Sequence, residues 1–496
     1  MAAAALVSLS NAGTGRIGAS RLLGLGFAWA LCAAGLLAYS QTWAFAFDEA
    51  YHLLAAQLIG AGKTPYLDFC FPQTPLNAYW NAGLLRVFGH GWRVVHGFAA
   101  LFTLGAAVLV SHFAFLRFPA KEWRLHAAVT VFFATALNNA VFEYGAIGQP
   151  YGFCLLAVAA AFRFAVAAAG SARLLPALLA GLFAGTGAGG SLLVAPAAPV
   201  LLAWIGVYNR AGRRWIKLAA FLLGAALSWA PVLRLYLLAP RQTWFNLVQY
   251  HASYRRLYWP DPSHDLEVLT AWIDSGQALV LVALTLLGIV FVRRSLWPRE
   301  RKAEFYLCAW LAAGLSAESA LAHPTFSQYF LLSVPYAAVL AAAGLYAASS
   351  IALPPGRWHW PVLLFALLMA LGLARHLYEN RDDATWSLYE NAAAKVEQVT
   401  PRDALLFANE PIYFLTRRTP PSGLELWYTH RLKLSPAGSA LFHIRSQDDL
   451  KRWLQTGAFA TAFVDEQDQI DFYGLNDLYR RHAGEGDLHI FWDRRN

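Results

Sequence analysis

Two adjacent carboxylates, Asp48 and Glu49, stand where the first long apolar stretch of the chain ends. A charge close to bilayer hydrocarbon costs about 2.5–3.5 kcal/mol on insertion scales, so an acid kept there points to function before packing. Partial desolvation raises a carboxylate's pKa toward the range in which it can take a proton from a hydroxyl. A third acid, Glu143, lies among apolar neighbours in NNAVFEYGAIGQPY. Cations come from elsewhere: Lys63 in a GKTPY turn, Arg255 and Arg256 in HASYRRLYWP, and His323 in AHPTFSQYF. Two guanidinium groups suit phosphate oxygens, which they bind bidentately. A phosphate departs as a stable anion, so its loss needs positive charge more than a general acid. Acids and cations on one membrane face therefore fit an anionic, lipid-linked substrate losing its phosphate to an attacking hydroxyl. One displacement opposite the leaving group would invert the reacting carbon. Each residue also has a plainer reading. Asp48 could end a helix, Glu143 could pair with an arginine, Arg255 and Arg256 could meet lipid headgroups, Lys63 and His323 could serve turns, and Asp68 could anchor its segment.

The elements that must position these groups are mostly membrane spans. The chain has 496 residues, 58% hydrophobic and 14% charged, against about 25% charged in an ordinary soluble domain. Nineteen Trp fit repeated interfacial belts. Apolar runs long enough to cross ~30 Å of hydrocarbon recur along the chain. They predict eleven spans near 22–42, 92–116, 125–141, 151–170, 174–188, 191–208, 217–238, 276–292, 304–320, 328–348 and 359–375. The first is read as retained, not as a cleaved signal. Lys and Arg divide sixteen to seven between the two sets of loops, with Arg16 and Arg21 in the richer set. That bias puts the N-terminus in the cytoplasm and, with an odd span count, the C-terminal region outside. The net charge of +9 is then topological, and nucleic-acid binding is a poor reading of it.

The first outward loop, residues 47–90, carries an amphipathic stretch and then Pro65, Pro72 and Pro75 among Tyr66, Phe69, Phe71, Tyr79 and Trp80. This composition suits a structured segment on the membrane surface. The longest outward loop, 240–276, holds an aromatic cluster of Tyr250, Tyr254, Tyr258 and Trp259 beside His251. Residues 1–375 are thus expected to form a transmembrane catalytic domain, and 376–496 a small α/β domain. In the latter ALLFAN and TAFVDE read as strands, DLKRWLQTG and DLYRRHA as helices, and Asn409-Glu410-Pro411 and Arg417-Arg418 as loop. Four isolated cysteines, with no CxxC pair, argue against a disulfide framework or thiolate metal site. Asp48, Glu49 and Glu143 could supply oxygen ligands to a divalent metal, yet no spacing demands one and no cofactor is expected. A transporter or flippase for a lipid-linked or anionic solute is the alternative reading. Internal repeats and mid-depth charges, the marks of such folds, are not evident.

The segment FDEAYHLLAAQLIGAGKTPYLDFCFPQTPLNAYWNAGLLRVFG resembles the first periplasmic loop of the GT-C glycosyltransferases. The nearest branch includes protein O-mannosyltransferases, aminoarabinose transferases and RgtA/B/C/D-like lipopolysaccharide transferases. The shared features are the acidic pair, a helix ending in Gly-Lys-x-Pro-Tyr-x-Asp-Phe, a Pro-rich stretch and a second juxtamembrane helix. HPTFSQYFLLSVPYAAVLAAAG resembles a late span of that family, and NEPIYFLTRRTPP its C-terminal domain. The resemblance implies a polytopic α-helical GT-C-like fold in the bacterial inner membrane. It implies an inverting enzyme with a sugar on polyprenyl phosphate as donor, and a lipid, glycan or protein hydroxyl as acceptor. By position Asp48 matches the loop-one acid, the base, with Glu49 orienting it and Glu143 near a second-loop acid. Tyr66, Lys63, Arg255, Arg256, His323 and Gln328 are the expected substrate contacts. Gln149 joins them, standing where relatives often carry a basic residue before Pro-Tyr.

Overall fold

The computed structural model describes residues 19–258 and 261–495. Arg16 and Trp259 lie outside the described residues, as do the segment before the first span and the side chains of Arg21 and Tyr258. In chain order the helices are α1 (Ala19–Thr42), α2 (Glu49–Gly60), α3 (Leu76–Phe88), α4 (Trp92–Arg117), α5 (Arg124–Ala136) and α6 (Asn139–Tyr144). Then come α7 (Tyr151–Gly170), α8 (Leu175–Gly190), α9 (Ala197–Tyr208), α10 (Arg214–Leu238) and α11 (Ser263–Thr270). The bundle ends with α12 (Gly276–Arg294), α13 (Arg299–Leu321), α14 (Val334–Ala352) and α15 (His359–Glu379). Every expected apolar stretch coincides with helical backbone, because a chain in hydrocarbon must satisfy its own peptide groups. By length and composition six helices among the described residues are long and apolar enough to cross a membrane: α4, α7, α10, α12, α14 and α15 with its lead-in.

Three expected spans have different ends, and the one expected from 191 is α-helical only from Ala197. The helix expected over 125–141 stops at Ala136, and the Asn138 side chain accepts from Val141 N at 3.2 Å to start α6 anew. Asparagine competes with the helix backbone and favours such a cap. The span expected from 328 begins as a 3-10 turn, Ser327–Leu332, and turns α-helical only at Val334. Pro335 stands in the first turn of α14, where its missing N–H leaves no helix hydrogen bond unmade.

Close helix pairs pack through glycine. A Cβ at Gly181 would lie 1.8 Å from Phe221 O, and one at Gly224 would lie 2.1 Å from Leu178 O, so α8 and α10 touch backbone to backbone. Gly288 and Gly344 do the same for α12 and α14. Small residues allow this approach where lipid gives no hydrophobic drive to associate.

The C-terminal region opens with α16 (Trp386–Val399) and folds around β1 (Leu405–Phe407), β2 (Phe459–Val464), β3 (Tyr479–Glu485) and β4 (Leu488–Arg494), in the order β1-β2-β4-β3. β1 and β2 run parallel, and β4 pairs antiparallel with both β2 and β3. Two expectations fail here. DLYRRHA, read as helical, turns into strand β3 from Tyr479 on, because YRRHAGE closes a tight hairpin onto LHIFWDR. Asn409-Glu410-Pro411 is no loop but the start of α17 (Glu410–Thr416), with Pro411 in its first turn. Arg418 spends its guanidinium on the carbonyls of Thr400, Pro401 and Ala404.

This small layer shares one core with the first loop. Leu54, Leu58, Tyr66, Phe69 and Phe71 bury against Tyr389, Val396, Phe407, Ile412 and Phe463. Polar contacts tie the same surfaces. Gln57 donates to Arg418 O at 3.0 Å, His443 meets Leu67 O at 2.6 Å, and Arg93 pairs with Glu390 at 2.8 Å.

Candidate functional site

The two acids that open α2 face opposite ways. Glu49 is fully buried and accepts three hydrogen bonds, from Gly148 N, His96 Nε2 and Trp386 Nε1, each at 2.7 Å. It joins α2, α4, the loop before α7 and α16, as a buried carboxylate must when it has no water. Asp48 is only partly buried and lines a cavity of ≈ 590 Å³. Burial raises its carboxyl above the ordinary value, opposed by a hydrogen bond from Tyr428 and by the charge of Arg255.

More of the lining comes from the polar stretch between α10 and α11. Residues Phe245–Tyr254 form a π-helix, a distortion frequent at functional sites. Its buried Asn246 accepts from Phe71 N at 2.8 Å and donates to Gln242 O at 2.8 Å, pinning the helix to the Pro-rich segment. His251 adds a 2.7 Å contact with Pro72 O, and burial pushes its imidazole down to about 4. Arg255 follows on the next turn. It donates to Tyr329 Oη at 2.8 Å and lies 5.6 Å from the Phe326 ring. Arg256 and, from the C-terminal layer, Arg431 add further positive charge to the lining of the same cavity.

Of the expected site residues, the cavity brings together Asp48, Gln149, Arg255, Arg256 and His323. His323 is engaged by Asp265, which also accepts from Thr325 N at 2.8 Å. The others lie elsewhere. Glu49 supports the site from behind. Glu143 pairs with His376 at 2.7 Å in a separate small crevice with Tyr39 and Asn380. Tyr66 is buried with φ 71°, its hydroxyl donating to Gln73 O at 2.6 Å, so it braces the cavity wall without reaching the space. Lys63 sits outside, acting on Glu425 of the C-terminal layer. Gln328 is not among the residues that line the cavity, whereas its neighbour Tyr329 is. Asp68 accepts from Thr64 N at 2.6 Å and holds its own turn.

Several lining groups had no distinguishing signal in the sequence. Tyr51, His52 and Thr74 come from the first loop, Tyr151 from α7, Glu318 from α13, and Leu426, Tyr428 and Arg431 from the C-terminal layer. Helical spacing could have found His52, one turn after Asp48. Nothing local marks Tyr428. The three acids considered for a metal do not converge, since Glu49 and Glu143 are held by different partners. Among the described residues no group of three or more His, Cys, Asp or Glu is placed to hold a metal ion.

Solved structures with the same architecture exist. The chain resembles ArnT from Cupriavidus metallidurans bound to undecaprenyl phosphate, with a TM-score of 0.68 at 12% identity over 96% of this chain and 98% of that one. The apo form of the same protein gives a TM-score of 0.66 at 12% identity, over 95% and 98%. No family model matches the chain, and no curated protein is similar to it in sequence. At this identity the likeness shows the fold. The chain has the polytopic membrane fold seen in ArnT, with a small C-terminal α/β layer.

Proposed function

We propose that this chain is an inverting glycosyltransferase. It moves a sugar from a polyprenyl-phosphate donor to a hydroxyl on a lipid, glycan or protein, at the periplasmic face of a bacterial inner membrane. The observation that carries this reading is one cavity lined by Asp48, Arg255 and Arg256 together. The ArnT structure with undecaprenyl phosphate bound supports the donor class, because a protein of the same fold holds that lipid phosphate.

In the proposed reaction Asp48 takes the proton of the acceptor hydroxyl as its oxygen attacks the anomeric carbon. The bond from that carbon to the phosphate oxygen breaks on the opposite side, and the electron pair leaves with the polyprenyl phosphate. Arg255 and Arg256 balance the developing negative charge, and such stabilisation usually contributes most of the rate enhancement. The Tyr428 hydrogen bond orients Asp48. In this reading the N-terminus lies in the cytoplasm, residues 1–375 are the catalytic membrane domain, and residues 376–496 form a periplasmic domain.

The test is transfer from a panel of polyprenyl-phosphate sugars by wild-type and Asp48→Asn protein in nanodiscs. A general base contributes about 10²–10⁴-fold, so Asp48→Asn should lose that much turnover while melting at the wild-type temperature. Equal turnover by a well-folded variant would remove Asp48 from the mechanism. Absence of transfer by wild type across the panel would favour transport of the same lipid-linked class.

A further inference from the structure

One corner of the cavity carries polar atoms that the chain itself does not satisfy. His52, Thr74 and Gln149 all line the space and are 3%, 1% and 6% exposed. His52 Nδ1, Thr74 Oγ1 and Gln149 Oε1 are each buried without a hydrogen-bond partner. Buried polar atoms are almost always paired, so three at one cavity wall call for a ligand.

The backbone brings them to one place. His52 lies one turn beyond Asp48 on α2, against Tyr51 at a ring separation of 4.2 Å. Gln149 follows Gly148, whose N–H donates to Glu49 of α2 and whose carbonyl accepts from Asn77 and Asn81 of α3 at 3.2 and 3.1 Å. Thr74 lies just before α3, two residues from its first turn. The Glu49–Gly148–Asn77 bonds thus clamp α2, the α3 entry and the Gln149 loop around a common point. Glu49, which holds this clamp together, is turned away and fully engaged. Burial pushes the His52 imidazole down to about 3, leaving it neutral at working pH.

We propose that His52, Thr74 and Gln149 form a subsite for the hydroxyl groups of an uncharged sugar ring, in the same cavity as Asp48. The proposal rests on the transferase reading and narrows its substrate. The three groups are themselves uncharged and offer hydrogen bonds alone, so they suit ring hydroxyls better than a carboxylate or an ammonium substituent. The ring belongs either to the donor or to a glycan acceptor, which share this chemistry.

The experiment uses the full chain in nanodiscs with polyprenyl-phosphate donors carrying a neutral hexose, a neutral pentose, a uronic acid or an amino pentose. Thr74→Val and Gln149→Leu keep shape and remove the polar atom. Each should raise KM for the neutral sugar substrate roughly five- to tenfold, the worth of one hydrogen bond, with kcat changed less than twofold. Thr74→Ser should recover most of the loss. A rise in donor KM assigns the ring to the donor, and a rise in acceptor KM assigns it to the acceptor; either supports the subsite. Unchanged KM for both substrates in folded variants, or a wild-type preference for the charged sugars, overturns it. Should wild type turn over no donor, the transferase reading fails separately. Binding of neutral methyl glycosides by wild type and the two variants then decides the subsite: weaker binding by the variants supports it, and equal binding overturns it.

Discussion

Asp48 and Glu49 are neighbours in sequence with unrelated tasks. Consecutive residues on a helix point about 100° apart and cannot serve one partner. The first therefore looks into the cavity while the second disappears into the junction of α4 and α16. Tyr428 tunes the first acid, since its hydrogen bond lowers a carboxyl that burial raises. Under the proposed mechanism Tyr428→Phe lets the Asp48 pKa rise further. Because the base works deprotonated, the acid limb of kcat/KM should move to higher pH, with losses at pH 6 exceeding those at pH 9. An unmoved limb would mean that Tyr428 has only a packing role. Glu143 teaches the same lesson from the other side. An acid among apolar neighbours looks functional, yet its partner His376 lies 233 positions away in the chain.

Among the elements, the π-helical turn and the helix pairs joined by glycine matter most. Asn246 is the peg that joins the π-helix to the Pro-rich segment. Asn246→Leu leaves Phe71 N buried without an acceptor, which should cost about 1–3 kcal/mol. The arginines should loosen with it, so donor KM should rise more than kcat falls. Unchanged melting and KM would show that the segment holds its place without the peg. Gly288 tests the bundle itself, since a Cβ there would meet Leu340 O at 1.9 Å. Gly288→Val should force α12 from α14, cost about 1–3 kcal/mol and lower the melting temperature in detergent. Gly276, whose Cβ would meet nothing, is the matched control.

At the scale of the whole molecule the C-terminal layer shares a core with the first loop, and its buried acids make that junction sensitive to pH. Desolvation raises Glu410 to about 8, Glu425 to about 7 and Asp465 to about 6. The folded state then holds protons that the unfolded chain has released, so stability falls as pH rises through these values. The buried imidazoles of His52, His251 and His430 are held low at about 3, 4 and 4, and so act in the opposite sense below the ordinary histidine range. Between pH 6.5 and 8.5 these three imidazoles no longer contribute, while the acids still do. The melting temperature should drop across that window, and Glu410→Gln should flatten the slope. An identical slope in the variant would remove Glu410 as its source.

Hydropathy alone determined the membrane class, the places of the helices and the existence of a separate polar C-terminal region, because burial in lipid demands long apolar runs whatever surrounds them. The acidic pair, the paired arginines and the Pro-rich turn marked the neighbourhood of the site for a related reason: charge and proline beside hydrocarbon are costly, and so are local signals. Only the tertiary structure decided which acid reaches the cavity, since that depends on the rotation of α2 within its packing. It alone brought Tyr428 and Arg431 from the C-terminal layer to Asp48, and it alone showed Lys63, Tyr66 and Gln328 supporting walls or lying outside them. Those outcomes rest on contacts between residues tens to hundreds of positions apart, for which a single sequence carries no local signal.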